Sequence, residues 1–119
     1  MCMNLNYKVA EILEQLGFSS IRIGYTYVLE AVVYMLTCNG EVVGITKTLY
    51  PYLAKKFATS SQAVERAMRM AISDACQIGN DNIRRLTGAE SNCRLHFTNK
   101  EFIYKTVNYV KKQLEISNN

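Results

Sequence analysis

The chain has 119 residues, 49% of them hydrophobic, and 14 Lys and Arg against 10 Asp and Glu, for a net charge of +4. That is one domain's length, with enough apolar sequence for a packed core, which excludes intrinsic disorder. No run reaches the roughly 20 apolar residues of a membrane helix, and residues 1–6 lack the basic and apolar regions of a signal peptide. Cys2, Cys38, Cys76 and Cys93 show no Cys-x-x-Cys spacing, so they read as free thiols in a reducing cytoplasm.

The first helix places Leu5, Val9, Ile12 and Leu16 on one face and stops at Gly17. Residues 18–23 read as a connector, with Ile21 and Ile23 pointing the same way. Residues 25–36 are nearly all apolar with one Glu, and their length favours a helix preceded by Gly24. Residues 37–40 form a turn. Their Asn-Gly pair leaves a hairpin between 35–38 and 41–45 as the local rival. Residues 46–50 make a helical turn or two, and Pro51 takes the first position of the next helix, where no hydrogen bond is lost.

That helix ends near Phe57, and a tight turn crosses Ala58 and Thr59. A longer helix follows over 60–78, stopped by Gly79. Thr59 and Ser60 are both N-cap residues, and Thr59 with Gln62 has capping-box spacing. Val64, Ala67, Met68, Ala71, Ile72, Ala75 and Ile78 recur at three- and four-residue steps as one buried stripe. Gln62, Arg66, Arg69 and Ser73 recur on another face, with Glu65 beside them. Arg takes guanine bidentately, Gln suits adenine and Glu accepts from cytosine N4, so this face carries base-reading groups. A solvated amphipathic helix, with Glu65 and Arg69 as an i, i+4 pair, gives the same pattern. The two helices together read as a helix-turn-helix.

Residues 80–82 read as a loop, 83–86 as a short helix ending at Gly88, and 89–97 as a loop. Thr98 opens the last helix, with Glu101 in capping-box spacing. Ile103, Val107, Val110 and Leu114 form its buried stripe. Lys111 and Lys112 sit in its last turns, where cations complement the dipole, and 117–119 fray. The fold class is therefore all-α, about six helices, in a single helical domain over 1–119.

Charge is unevenly placed. Residues 1–45 carry −2, residues 46–72 carry +4 and residues 73–119 carry +2. Positive charge thus gathers around the helix-turn-helix, as phosphate binding requires. Lys47, Lys55, Lys56, Ser60 and Ser61 are the phosphate-contact candidates. Nothing points to an enzyme. His96 is the only histidine, no His, Cys and Asp cluster has metal spacing, and no Gly-rich loop suits a phosphate ligand. Glu11 and Glu14 belong to a solvated helix face, and Tyr25, Tyr27, Tyr34, Tyr50 and Tyr52 to core and rim. No cofactor is expected.

The runs Ile-Thr-Lys-Thr-Leu-Tyr-Pro-Tyr-Leu-Ala-Lys-Lys-Phe (45–57) and Val-Glu-Arg-Ala-Met-Arg-Met-Ala-Ile (64–72), with 12–30 and 98–103, resemble the C-terminal DNA-binding effector domain of stage 0 sporulation protein A. The resemblance spans nearly the whole chain. It implies a helix-turn-helix transcription regulator of the sporulation-initiation type, cytoplasmic and nucleoid-associated in a bacterium, binding double-stranded DNA. It further implies a short box with a guanine–cytosine centre, tandem self-association on DNA and contact with RNA polymerase. Glu65, Arg66 and Arg69 match the family's recognition helix. Gln62 and Ala63 replace its Ser-Arg, and Met70 replaces its His, which implies an altered target. Family proteins carry an N-terminal receiver domain phosphorylated on an aspartate, whereas this sequence starts at the effector helix. The expectation is an excised domain, or a standalone protein that acts constitutively or competes with a full-length regulator. The rival function is a helical protein-interaction module that has lost specific DNA binding.

Overall fold

The structure, a computed structural model, describes residues 2–38, 45–78, 81–87 and 97–118. Helix α1, Cys2–Gln15, buries Val9, Ile12 and Leu13, and Leu16 just past its end is buried with them. Leu13 joins the stripe expected from the sequence. Gly17 closes the helix at φ 103°, a left-handed conformation that costs glycine nothing. Its N–H donates to Glu14 O at 3.1 Å, and Phe18 N–H donates to Leu13 O at 3.1 Å. These two bonds satisfy carbonyls that the helix end would otherwise leave open. In the connector Phe18 is buried, while Ile21 and Ile23 face solvent.

Helix α2, Ile23–Thr37, is the central element and packs on α1 and on three helices that follow it. A helix surrounded on several sides has no polar face to show, which explains the near-continuous apolar run. Gly24 lies inside its first turn rather than ahead of it. Met35, Leu36 and Thr37 are helical, so the rival hairpin from that segment does not form. Residues 39–44 lie outside the described residues.

A π-helical turn, Ile45–Leu49, runs directly into α3, Tyr50–Lys56. Pro51 is the second residue of α3, not the first. It lacks the N–H that an α-helical turn would bond to the carbonyl of Lys47, so the wider preceding turn loses nothing there. Helix α4 spans Ser61–Ile78. Helix α5, Asp81–Thr87, begins where the sequence suggested a loop. Asp81 suits the positive end of the helix, and Asn82 Nδ2 donates to Gln15 O at 3.0 Å, tying α5 to the end of α1.

Helix α6, Asn99–Asn118, is capped as expected. Thr98 N–H donates to Glu101 Oε1 and Glu101 N–H to Thr98 Oγ1, each at 3.1 Å. Its buried face holds Phe102, Ile103, Val107 and Val110, and also Thr106, whose hydroxyl donates to Phe102 O at 2.8 Å. The helix runs on to Asn118. Lys111 and Lys112 therefore lie well before the last turn. All six α-helices pack around one core, with no strand among the described residues. Gly79, Gly88, Cys93, His96 and all but Phe97 of the loop expected over 89–97 lie outside those residues.

Candidate nucleic-acid interface

The corner between α3 and α4 is built from backbone hydrogen bonds. Phe57 N–H donates to Leu53 O at 3.0 Å, Ala58 N–H to Lys55 O at 3.4 Å, and Thr59 N–H to Ala54 O at 2.8 Å. This crossed pair from Ala58 and Thr59 is a Schellman closure. It forces the residue after the C-cap into the left-handed region, and here that residue is Ala58, at φ 53°. Because Thr59 is consumed in closing α3, the next residue caps α4. Ser60 Oγ accepts from Ala63 N–H at 3.1 Å. The N-cap is therefore Ser60 and not Thr59, the helix begins one residue later than expected, and the proposed Thr59–Gln62 capping box does not form.

Helix α4 buries Val64, Met68, Ala71, Ile72, Ala75 and Cys76. Cys76 replaces Ile78, which is exposed at the helix end, and Ala67 is half-buried. On the other side Gln62, Arg66, Arg69 and Ser73 are exposed and Glu65 is half-exposed. Arg69 Nη1 lies 3.5 Å from Glu65 Oε1, one turn back. Such a solvent-facing pair is weak and is readily exchanged for another partner. Arg66 has no ion pair among the described residues. The five base-reading candidates therefore share one accessible side of α4.

The phosphate candidates divide. Lys47 and Lys55 are exposed. Lys56 is exposed too, but its Nζ sits 2.8 Å from Glu30 Oε2 on α2. That hydrogen bond raises the ammonium pKa above its ordinary value and neutralises part of the charge offered outward. Ser60 is committed to its cap through one lone pair, and Ser61 is half-buried beside it.

Behind this face lies a residue the sequence reading did not single out. Asn99, the first residue of α6, is buried. Its Nδ2 donates to Tyr50 Oη at 3.0 Å and to Glu65 O at 3.0 Å. Glu65 O can only accept, so the amide nitrogen and not the oxygen faces it. One amide thus joins α6 to both helices of the corner. Burial raises the pKa of the Tyr50 phenol, which keeps it neutral. The only sequence cue was an Asn directly after a capping Thr.

Among the described residues no group of His, Cys, Asp or Glu could hold a metal ion, and no helix is long and apolar enough to cross a membrane. The family model described as sporulation initiation factor Spo0A C terminal matches residues 9–110. The chain belongs to that family. The Spo0A C-terminal family comprises DNA-binding effector domains of transcription regulators and is not a family of enzymes. The matched span takes in α3, the corner, α4 and the start of α6, so it includes every residue of the accessible face described above.

Proposed function

We propose that residues 1–119 act as a single helical domain that binds double-stranded DNA in a sequence-specific manner, with α4 in the major groove. The observation that carries this reading is the placement of Gln62, Arg66, Arg69 and Ser73, with Glu65, on one accessible side of the second helix of a helix-turn-helix. Arg66 and Arg69 read guanine, Gln62 reads adenine, and Glu65 either accepts from cytosine or aims Arg69. Lys47, Lys55, Ser60 and Ser61 hold the phosphates, helped by the unbonded N–H groups at the start of α4. Lys56 contributes less because Glu30 already holds it. The site of action is the bacterial nucleoid. Tandem self-association on adjacent boxes and contact with RNA polymerase accompany the same reading.

Site selection from a random DNA pool, followed by binding measurements on variants, tests the proposal. Arg66→Ala should cost about 1–3 kcal/mol on the selected site and relax preference at one base pair. Lys55→Ala should weaken all sequences alike and flatten the salt dependence by about one unit. Equal binding by Arg66→Ala and the parent protein removes the base-reading role. Salt-sensitive binding with no selected sequence would favour the protein-interaction module instead.

A further inference from the structure

We infer that Asn99 is a positioning residue for sequence discrimination: its amide, bonded to Tyr50 and to the Glu65 carbonyl, fixes the roll of α4 about its own axis. This inference rests on the DNA-reading assignment of α4. The argument begins with what the apolar face of α4 can and cannot do. Its underside is Ala67, Ala71 and Ala75 between Val64, Met68 and Ile72. Alanines offer low ridges, Met68 is flexible, and apolar attraction has no direction. Such a surface holds the helix down, closely where Ala67 and Ala71 meet Gly24 of α2, but its contacts are non-directional. A roll of about 10° displaces a side-chain tip by about 1 Å, while a bidentate contact tolerates an error of only about 0.5 Å.

A directional bond supplies what the core lacks. The Glu65 carbonyl is the one that accepts the Arg69 N–H within the helix, and Asn99 Nδ2 takes its second lone pair at 3.0 Å. The grip thus falls on the turn that carries Glu65, Arg66 and Arg69. The other amide hydrogen reaches Tyr50 of α3 at 3.0 Å, so roll is referenced to the first helix of the corner. The capping box at Thr98 and Glu101 holds the start of α6 firm. The amide also serves stability: without it the buried Tyr50 hydroxyl loses its donor, at the cost of leaving a desolvated group unpaired, so discrimination between duplexes is the readout that separates the two roles. Asn99 Oδ1 has no partner among the described residues.

The test compares Asn99→Leu and Tyr50→Phe with the parent protein on three duplexes: the selected site, that site changed at the base pair read by Glu65 and Arg69, and a random sequence. The expected result is a fall of about tenfold in discrimination between the first two. Affinity for the random duplex and its salt dependence should stay unchanged. Should Asn99→Leu fail to fold, Tyr50→Phe, which removes one hydroxyl, decides the matter with a smaller loss. A folded variant that discriminates as the parent does overturns the inference, as does a uniform loss on all three duplexes. If the parent protein itself shows no preference, the DNA-reading assignment fails and takes this inference with it; preference in the parent with no change in the variants sinks the inference alone.

Discussion

At Gly24 the backbone of α2 lies against α4 with no room for a methyl group. A Cβ there would fall 2.8 Å from Ala71 Cβ and collide with the carbonyl oxygen of Ala67. A carbonyl in a helix cannot swing aside as a side chain can, so the helices themselves must separate. Gly24→Ala should therefore destabilise the fold by about 1–3 kcal/mol, the range for overpacking, measured as a shift in urea midpoint at constant slope. A change below about 0.5 kcal/mol, within the usual range for surface substitutions, would mean the contact is looser than described. The neighbouring lysines make a second point at this scale. Lys55 and Lys56 are indistinguishable in sequence, yet only Lys56 meets a carboxylate, 26 residues away on α2. Charge counted along the chain overstates what a DNA backbone would find, because two of the five cations around the corner, Lys56 beside Glu30 and Arg69 beside Glu65, already face a carboxylate.

At the scale of the element, the corner stores a small strain. Ala58 holds φ 53°, a region in which an L-residue with a Cβ costs about 1–2 kcal/mol. The Schellman bonds from Ala58 and Thr59 hold it there. Ala58→Gly removes the steric cost and returns part of the gain through a more flexible unfolded chain. The net expectation is a stabilisation of about 0.5–1 kcal/mol with DNA binding unchanged, read by thermal melting and gel shift. A loss of stability would show that the entropy term dominates. The same corner shows what the sequence could and could not disclose. Helices α1, α4 and α6 were legible because Val9, Ile12 and Leu16, or Val64, Met68 and Ile72, repeat at helical steps and lie buried. The choice between Thr59 and Ser60 as cap was not, since both carry a hydroxyl and only the closure of α3 decides between them. The start of α5 was misread because Asp81 and Asn82 are as much turn residues as helix-opening ones. Asn99 escaped notice for a related reason: an amide in the first turn of a helix ordinarily faces water. Its burial depends on Tyr50 and Glu65, which are remote in sequence.

At the scale of the whole molecule, every resolved shift in proton affinity among the described residues has the same direction, and that predicts a loss of stability at alkaline pH. Burial raises the Cys76 thiol from its ordinary 9.0. Burial, then the Glu14 carboxylate, raises the Tyr25 phenol from 10.0, and burial raises that of Tyr50 from 10.0. The hydrogen bond that Lys56 donates to Glu30 raises the ammonium from 10.5. A group with a raised folded pKa keeps its proton in the folded chain after the unfolded chain has lost it. Unfolding then releases protons, so stability falls as pH rises. The contribution is whole below each ordinary value and is lost as pH climbs through the folded one. Decline should accordingly begin near pH 9 with Cys76, at no more than about 1.4 kcal/mol per pH unit, and steepen above pH 10 as the two tyrosines join, while solvent screening keeps the contribution of the exposed Lys56 small. Urea midpoints measured from pH 8 to pH 11 on the parent protein and on Cys76→Ala test this. The variant should delay the onset to about pH 10 and leave the steeper part in place. A flat profile, or an onset near pH 9 that survives removal of the thiol, would show that these buried groups do not set the limit.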